Sequence, residues 1–452
     1  MASGNWRADA DNRGMAFLAA YQPELMWSIF ALTYVGIAIG GFPKLVLDRT
    51  GIALLGAIGM LVVHGVSIRQ AAEHVSYETI LLLFGLMIFS AQLRVAGFYD
   101  IAGKKLTGLV DRPRLLLAGL IGLSALLSAL LANDIVCLAF TPLLCEALLA
   151  ARKNPVPYLI ALATSSNIGS AATIIGNPQN MHIGAVAGLS FGHFTIVMLV
   201  PVLVGLALNY AGVLLVFGAG LKESLPAVNG RAGIDPHVHD NETLIPSSLP
   251  LQTREEPPDR WLICKTLVIL TGLIVFFLFA RGEWRAIGAL AGAGLLLCSH
   301  NARAAKLYQL VDWNLLLLFL GLFVVNGAMQ PLVDRAFATV RASGVNLQNP
   351  VELSGVTLAL SNMVSNVPAV LLLQNPLQAA PQGQQRQLWY VLALISTWAG
   401  NLTLVGSIAN LIVAESAAAF GVTVDLKTYC KLGIPLTLVT VVMGTVWLIV
   451  VM

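Results

Sequence analysis

Long apolar segments separated by short polar loops run through the chain, and each is close to the roughly 20 residues with which a helix crosses a membrane. In the first half they predict spans at 23–42, 51–68, 79–98 and 194–221, a composite element at 113–150 and an interrupted one at 156–187. In the second half they predict spans at 261–280, 284–300, 313–330 and 428–451, a composite element at 350–374 and an interrupted one at 387–420. The same elements follow in the same order, which indicates an internal repeat.

Local matches support the repeat, since 52–59 resembles 287–294 and 78–85 resembles 313–321. If each composite element is a re-entrant hairpin, a repeat crosses the membrane five times, and an odd number inverts the second copy. The sequence therefore predicts an all-α polytopic membrane protein. It would consist of two inverted repeats of five transmembrane helices, each with a re-entrant hairpin and a broken helix.

Composition agrees with this class, because 57% of the 452 residues are hydrophobic and 11% are charged, against about 25% charged in soluble domains. We expect a polar N-terminal segment at 1–22 without a cleaved signal, a first repeat at 23–221, a flexible linker at 222–260 and a second repeat at 261–452.

Loop charges predict the orientation, since Lys and Arg favour the cytoplasmic side. With the N-terminus outside, roughly twice as many loop cations face the cytoplasm, while Arg281 and Arg285 fall on the outer side. This places the linker in the cytoplasm and the protein in the plasma membrane, as a multi-pass protein of a bacterial inner membrane.

Enzyme chemistry and cofactors are not expected. The five cysteines show no metal-ligand spacing, and His237 with His239 in the linker reads as a solvated pair rather than a metal site. No nucleophile stands at a useful spacing from a base, and no phosphate-binding loop occurs. The net charge of +3 is small, and we expect no nucleic-acid partner.

A polar, helix-breaking block interrupts one apolar segment in each half, at 166–180 and at 400–410. Gly176 and Gly406 correspond at a spacing of 230 residues, as do two further pairs, Thr173 with Thr403 and Asn180 with Asn410. Broken helices in corresponding positions of two halves point to a transporter's substrate site. The substrate-binding candidates from these blocks are Ser166, Asn167, Thr173, Gly176, Asn177, Asn180, Thr403, Gly406, Ser407 and Asn410.

The composite elements each carry a polar tip between apolar arms, with Asn133 and Asp134 in the first half and Ser365 and Asn366 in the second. A structural alternative is that the two asparagines merely cap hairpin turns. A charged group within a membrane costs at least about 2.5 kcal/mol, so Asp134 should face a bundle interior or a hydrated site. Asp134 either exchanges protons or binds sodium there, or stays charged beside helix N-terminal amides.

These residues resemble the ion transporter superfamily, which includes arsenite efflux permeases, related sodium/proton antiporters and divalent-anion/sodium symporters. The resemblance spans nearly the whole chain. It is carried by Leu131-Ala132-Asn133-Asp134 with Thr141-Pro142, by Gly176-Asn177-Pro178-Gln179-Asn180, by Ser365-Asn366-Val367-Pro368 and by Gly406-Ser407-Ile408-Ala409-Asn410-Leu411. It implies a ten-helix fold with two re-entrant hairpins, a substrate held between hairpin tips and broken helices, and transport driven by an ion gradient.

The Ala-Asn-Asp tip is similar to the arsenite permease pattern, whereas Gly-Asn-Pro-Gln-Asn is more typical of anion-permease relatives. The first hypothesis is therefore proton-coupled efflux of arsenite or antimonite, with Asp134 as the proton-coupling residue. By analogy the family adds a homodimer and a cytosolic ATPase partner at the linker.

Three alternatives stay open. One is sodium- or proton-coupled transport of an inorganic or dicarboxylate anion such as sulfate or succinate, with helix N-termini supplying positive ends. A second is plain sodium/proton exchange, and a third is a membrane subunit that only docks a soluble partner.

Overall fold

The computed structural model describes residues 21–40, 47–64, 67–221, 257–298, 304–342 and 344–452. Nearly all of the predicted N-terminal segment at 1–22 and most of the linker at 222–260, with His237 and His239, lie outside these residues. The proposed division of the chain into those segments stays a prediction.

Ten helices precede the linker in the part of the chain that the structure describes. They are α1 (Gln22–Ile39), α2 (Arg49–His64), α3 (Ile68–Glu73), α4 (Tyr77–Ala96), α5 (Phe98–Thr107), α6 (Pro113–Leu130), α7 (Asn133–Ala150), α8 (Val156–Ser170), α9 (Pro178–Val186) and α10 (Phe191–Phe217).

Nine α-helices and one short 3-10 helix follow among the described residues. They are α11 (Arg260–Phe279), α12 (Trp284–Leu297), α13 (Ala304–Tyr308), α14 (Trp313–Ala342), α15 (Pro350–Val364), α16 (Asn366–Gln378), α17 (Gln382–Ala399), the 3-10 helix Leu404–Gly406, α18 (Ile408–Ala418) and α19 (Leu426–Val451).

Seven described helices, α4, α6, α7, α10, α11, α14 and α19, are long and apolar enough to cross a membrane. Three shorter apolar helices, α2, α12 and α18, accompany them. The prediction of an all-α, multi-pass membrane protein is confirmed.

The composite elements resolve into helix pairs, α6 with α7 and α15 with α16, and the interrupted elements into α8 with α9 and α17 with α18. Hydropathy missed three short helices, of which α3 starts because Ser67 and Gln70 form a reciprocal capping box. Helix α5 starts after Gly97, whose left-handed φ of 81° ends the preceding span.

The described residues divide into two compact units. The first draws on 1–77, 313–346 and 371–379, and the second on 78–312, 347–370 and 380–452. Within the first unit α14 packs on α2, and a Cβ on Gly321 would lie 2.8 Å from the Ala53 carbonyl carbon. Tyr34 also donates a 2.7 Å hydrogen bond to Asn326 there.

Within the second unit, the hairpin arm α6 packs tightly on the broken-helix segment α8. A Cβ on Gly169 would lie 2.3 Å from the Cα atom of Ala125, so the helices are in backbone contact. The hydroxyl oxygens of Ser124 and Ser165 lie 2.7 Å apart, and those of Ser128 and Ser166 lie 2.8 Å apart. Small residues and paired hydroxyls bind the hairpin to the broken helix.

A buried arginine holds the far end of α9 in the same unit. Arg285 donates hydrogen bonds to the carbonyl oxygens of Gly184, at 2.9 Å, and Leu189, at 3.2 Å. Its guanidinium also lies 3.9 Å from the carboxylate of Glu78. Loop-charge counting was wrong to treat Arg285 as a loop residue, since it sits in the first turn of α12 and is 1% exposed.

The contact between α6 and α8 generates a test with a matched control. We expect Gly169→Ala to lower the thermal midpoint of the purified protein, because the added methyl collides with backbone, an overpacking that costs about 1–3 kcal/mol. Gly122→Ala on α6 should leave the midpoint unchanged or raise it slightly, since nothing lies within 4 Å of a Cβ there. Equal midpoints for the two variants would contradict the close approach.

Candidate functional site

Two helix breaks define the candidate site, and both belong to the larger unit. The first lies at 171–177, between α8 and α9, and the second at 400–407, between α17 and α18. Their polar side chains are buried. Asn167, Asn177, Asn401 and Asn410 are each at most 2% exposed.

Each break contains an equivalent hydrogen bond, and the residues that form it are 230 positions apart in the sequence, as predicted. Asn180 Nδ2 donates to the Thr173 carbonyl at 3.3 Å, and Asn410 Nδ2 donates to the Thr403 carbonyl at 3.1 Å. Each asparagine thus satisfies a backbone carbonyl that its helix break frees, as an apolar environment requires.

The two glycines also correspond. A Cβ on Gly176 would lie 2.1 Å from the Ser170 carbonyl oxygen, and one on Gly406 would lie 3.0 Å from the Gly400 carbonyl oxygen. In both breaks the chain turns back against the end of its own first helix segment, which leaves little or no room for a side chain.

Asn167 is the centre of a hydrogen-bond cluster that joins elements from both halves of the sequence. Its Oδ1 accepts from Asn133 Nδ2 and from the Ser407 hydroxyl, each at 3.2 Å. Its Nδ2 donates to Asn401 Oδ1 at 2.9 Å and Asn410 Oδ1 at 3.1 Å. Two acceptor and two donor positions are the full capacity of an amide, so Asn167 is saturated.

Asn177 has a structural role at the start of α9. Its Oδ1 accepts from the Asn180 N–H at 2.9 Å, which caps the helix ahead of Pro178. Its Nδ2 donates to Ser170 at 3.0 Å and to Thr397 at 3.2 Å. Asn177 therefore ties the first break to α17.

The first hairpin tip lies beside the cluster. Asn133 begins α7 and reaches Asn167, while Asp134 occupies the first helical turn with its side chain half-buried. Among the described residues no group of three or more His, Cys, Asp and Glu could hold a metal ion.

The second tip has an unusual backbone. Ser365 adopts φ 76° and ψ 162°, a region that non-glycine residues enter at a cost of about 1–3 kcal/mol. Asn366 follows, and its Oδ1 is buried without a hydrogen-bond partner among the described residues. Its Nδ2 lies 3.1 Å from where a Cβ on Gly400 would stand, which places the tip against the second break.

The structure thus brings Asn133, Asn167, Ser407 and Asn410 into direct hydrogen-bond contact. Ser166 lies at the edge of this cluster, since its hydroxyl reaches the Asn133 carbonyl at 3.3 Å. Ser365 and Asn366 are near it, without a hydrogen bond to its members.

Three participants were missing from the predicted set. Asn401 Oδ1 accepts a hydrogen bond from Asn167. The Thr397 hydroxyl accepts hydrogen bonds from the side-chain amides of Asn177 and Gln179. Asn362, one turn before the second tip, donates to the Ala399 carbonyl at 3.0 Å. Asn362 lies on α15 and Asn366 on α16, so no helical spacing joins the two, and the available signal for Asn362 was only its closeness in sequence to the predicted tip.

Every side chain in this hydrogen-bonded cluster is an uncharged amide or hydroxyl, and the acid Asp134 follows Asn133 in sequence. Because Asn167 is saturated, a ligand held here by hydrogen bonds would have to replace some of the bonds that the cluster now makes within itself. The site offers no cation within the cluster to balance an anionic ligand.

Comparison with known proteins supports a transport function. The family described as "CitMHS: Citrate transporter" matches residues 34–396. The silicon efflux transporter LSI3 of Oryza sativa subsp. japonica is 31% identical, over 94% of this chain and 98% of its own length. A candidate transporter named arsB from Dictyostelium discoideum is 27% identical, over 88% of this chain and 86% of its own.

The crystal structure of the Alcanivorax borkumensis YdaH transporter aligns with 96% of this chain and 98% of its own chain, at 13% identity and a TM-score of 0.48. That score is too low to carry an argument, and the assignment rests on the sequence matches. The family match covers most of the chain, and the expected superfamily is confirmed. The chain is a transporter, not an enzyme, and it belongs to the CitMHS family of the ion transporter superfamily.

Proposed function

We propose that this secondary transporter exports arsenite or antimonite in exchange for protons, by alternating access. The observation that carries the proposal is the uncharged hydrogen-bond cluster around Asn167. Trivalent arsenic at neutral pH is an uncharged trihydroxide, and each of its hydroxyls can donate and accept a hydrogen bond. Amide and hydroxyl groups bind such a polyol without a charge imbalance.

The names of two relatives agree with a small polyhydroxide substrate. One exports silicon, and the other bears the name arsB. Silicic acid is also an uncharged hydroxide at neutral pH. A cluster that suits one small neutral hydroxide suits the other by the same hydrogen bonds.

Asp134 is the proposed proton carrier. It stands next to Asn133, which contacts the central amide of the cluster, so a change in its charge acts directly beside the bound substrate. Proton relays in membrane transporters commonly use intramembrane acids of this kind.

The proposed architecture is two inverted repeats of five crossings. The geometric equivalence of Gly176 with Gly406, and of Asn180 with Asn410, supports it. In each compact unit a glycine of one half also packs on an alanine of the other half, Gly321 on Ala53 and Gly85 on Ala289. The proposed location is the inner membrane of a bacterium, with the linker in the cytoplasm.

A second candidate is transport of an organic or inorganic anion, since the family description names citrate. The N-terminus of α9 at the first break offers partial positive charge. A citrate ion would bring up to three negative charges beside Asp134, however, and burying them without a cation is costly.

Purified protein in liposomes separates the candidates. We would load arsenite, antimonite, silicic acid, sulfate, succinate and citrate in turn, and impose a pH gradient or a sodium gradient. Metalloid movement that follows the proton gradient supports the proposal. Movement of citrate, sulfate or succinate that follows sodium, with no metalloid movement, overturns it.

Asp134→Asn should abolish proton-driven arsenite transport, because the amide cannot bind and release a proton. Substrate exchange without a gradient should persist and lose its pH dependence, since the hydrogen-bond cluster is intact. The measurement compares gradient-driven flux with exchange flux across pH values in the same liposomes.

Asp111→Asn serves as the matched control, because Asp111 is exposed in the loop before α6. We expect wild-type flux from it. Gradient-driven flux that survives in Asp134→Asn would remove this residue from the coupling step.

Asn167→Ala should abolish substrate binding and lower stability by about 2–4 kcal/mol, since four buried groups lose a partner. Asn209→Ala is the control, because that buried amide accepts one hydrogen bond, from Thr164 at 3.0 Å, outside the cluster. We expect it to transport normally. Isothermal titration with arsenite and thermal midpoints would measure both variants, and equal binding by both would contradict the role of Asn167.

A further inference from the structure

A cavity of about 680 Å³ lies between α5 and the first turns of α11, within the larger unit and away from the helix breaks. Lys105 and Arg260 line one end, and the rest of its wall is mostly apolar. No step of the proposed transport uses it. Its size is that of a site for a sizeable organic ligand.

Both cations are available to a ligand. Lys105 and Arg260 are exposed, and neither forms an ion pair within the described residues. Nearby Lys265 is engaged, because its ammonium donates to the Cys298 carbonyl at 2.8 Å and lies 5.7 Å from the centre of the Trp261 ring. The carboxylate of Asp259 accepts the Leu262 N–H at 3.0 Å as a helix cap. Among the described residues, the cavity is therefore lined by two cations that form no ion pair.

The apolar wall runs from these cations along a helix that crosses the membrane. Ile263, Leu267 and Thr271 follow at intervals of four residues on α11, so they form one stripe with about 6 Å between successive members. Val268 lies beside the stripe and is 65% exposed. From Arg260 to Thr271 the helix rises about 16 Å, half the thickness of the hydrocarbon core.

The floor of the cavity is firm. Ile263 packs with Ala96 and Leu262 in a buried cluster, and Phe98 and Ile101 of α5 cover it. A stable apolar floor under a basic rim has the shape and the charge of a lipid site, with polar recognition at the membrane surface and hydrophobic contact below it.

We propose that this cavity binds an anionic phospholipid. Lys105 and Arg260 contact the phosphate, and one acyl chain lies along Ile263, Leu267 and Val268. Free phosphate would bind the two cations but would leave the apolar stripe exposed. A zwitterionic lipid would place its own positively charged group near Lys105 and Arg260, which is unfavourable. Loop charges place both basic residues on the cytoplasmic side, where anionic lipids attract Lys and Arg.

The test uses the full-length protein with a double substitution, Lys105→Gln with Arg260→Gln. Native mass spectrometry after reconstitution in an equimolar mixture of phosphatidylglycerol and phosphatidylcholine would count retained lipids. We expect the wild type to retain phosphatidylglycerol in preference to phosphatidylcholine. In the double variant the ratio of the two retained lipids should fall about thirtyfold, because each lost cation contributes a factor of roughly five.

The matched control is Lys427→Gln with Lys431→Gln, which removes two exposed cations at the start of α19 that line no part of this cavity. It should retain the wild-type preference. A double variant that keeps the preference overturns the proposal, as does equal loss in the control.

A competition experiment with inorganic phosphate tests whether the site binds free phosphate rather than a phospholipid. Displacement of the retained lipid by millimolar phosphate would show a phosphate site that ignores the acyl chain, which overturns the proposal. The double variant could also change from dimer to monomer without any change in lipid retention. That result would show that this surface binds a second copy of the chain instead of a lipid.

Discussion

A helix that breaks inside an apolar medium leaves backbone carbonyl and amide groups that no water can satisfy, and this constraint governs the centre of the molecule. Asparagine meets it at both breaks. Asn180 and Asn410 each close the loop ahead of their own helix by bonding to a carbonyl within it. The fold therefore contains its buried polar cluster because it contains broken helices.

The two halves nevertheless differ at this centre. In the first half, Asn177 caps the second helix segment with its side chain, whereas Ser407 at the corresponding position has no such capping bond and points its hydroxyl to Asn167. The first half also carries Asp134, where the second has Val367. The two halves of the sequence thus carry one acidic tip and one neutral tip. That asymmetry is what a carrier needs if one ion and one neutral molecule are to share a site.

The positions of the two helix breaks could be predicted from the sequence, because they depend on which residues are close neighbours along the chain. Helix breakers and polar blocks inside apolar runs placed both breaks, and the spacing of 230 residues predicted contacts that recur in three dimensions. The central role of Asn167 could not be read in this way, since its partners Asn401 and Asn410 lie more than two hundred residues away. Arg285 misled the charge count because hydropathy cannot distinguish a loop cation from one that binds buried carbonyls.

The serine pairs between α6 and α8 limit how the protein can move. Each pair places two buried hydroxyls in contact between the helices, and Gly169 brings the two backbones together there. Pulling the helices apart would break both hydroxyl pairs and open a void along the contact. Ser124 and Ser165 would keep their bonds to carbonyl groups of their own helices, at Leu120 and Ala161. Any movement that keeps this contact therefore carries α6 and α8 together as one body.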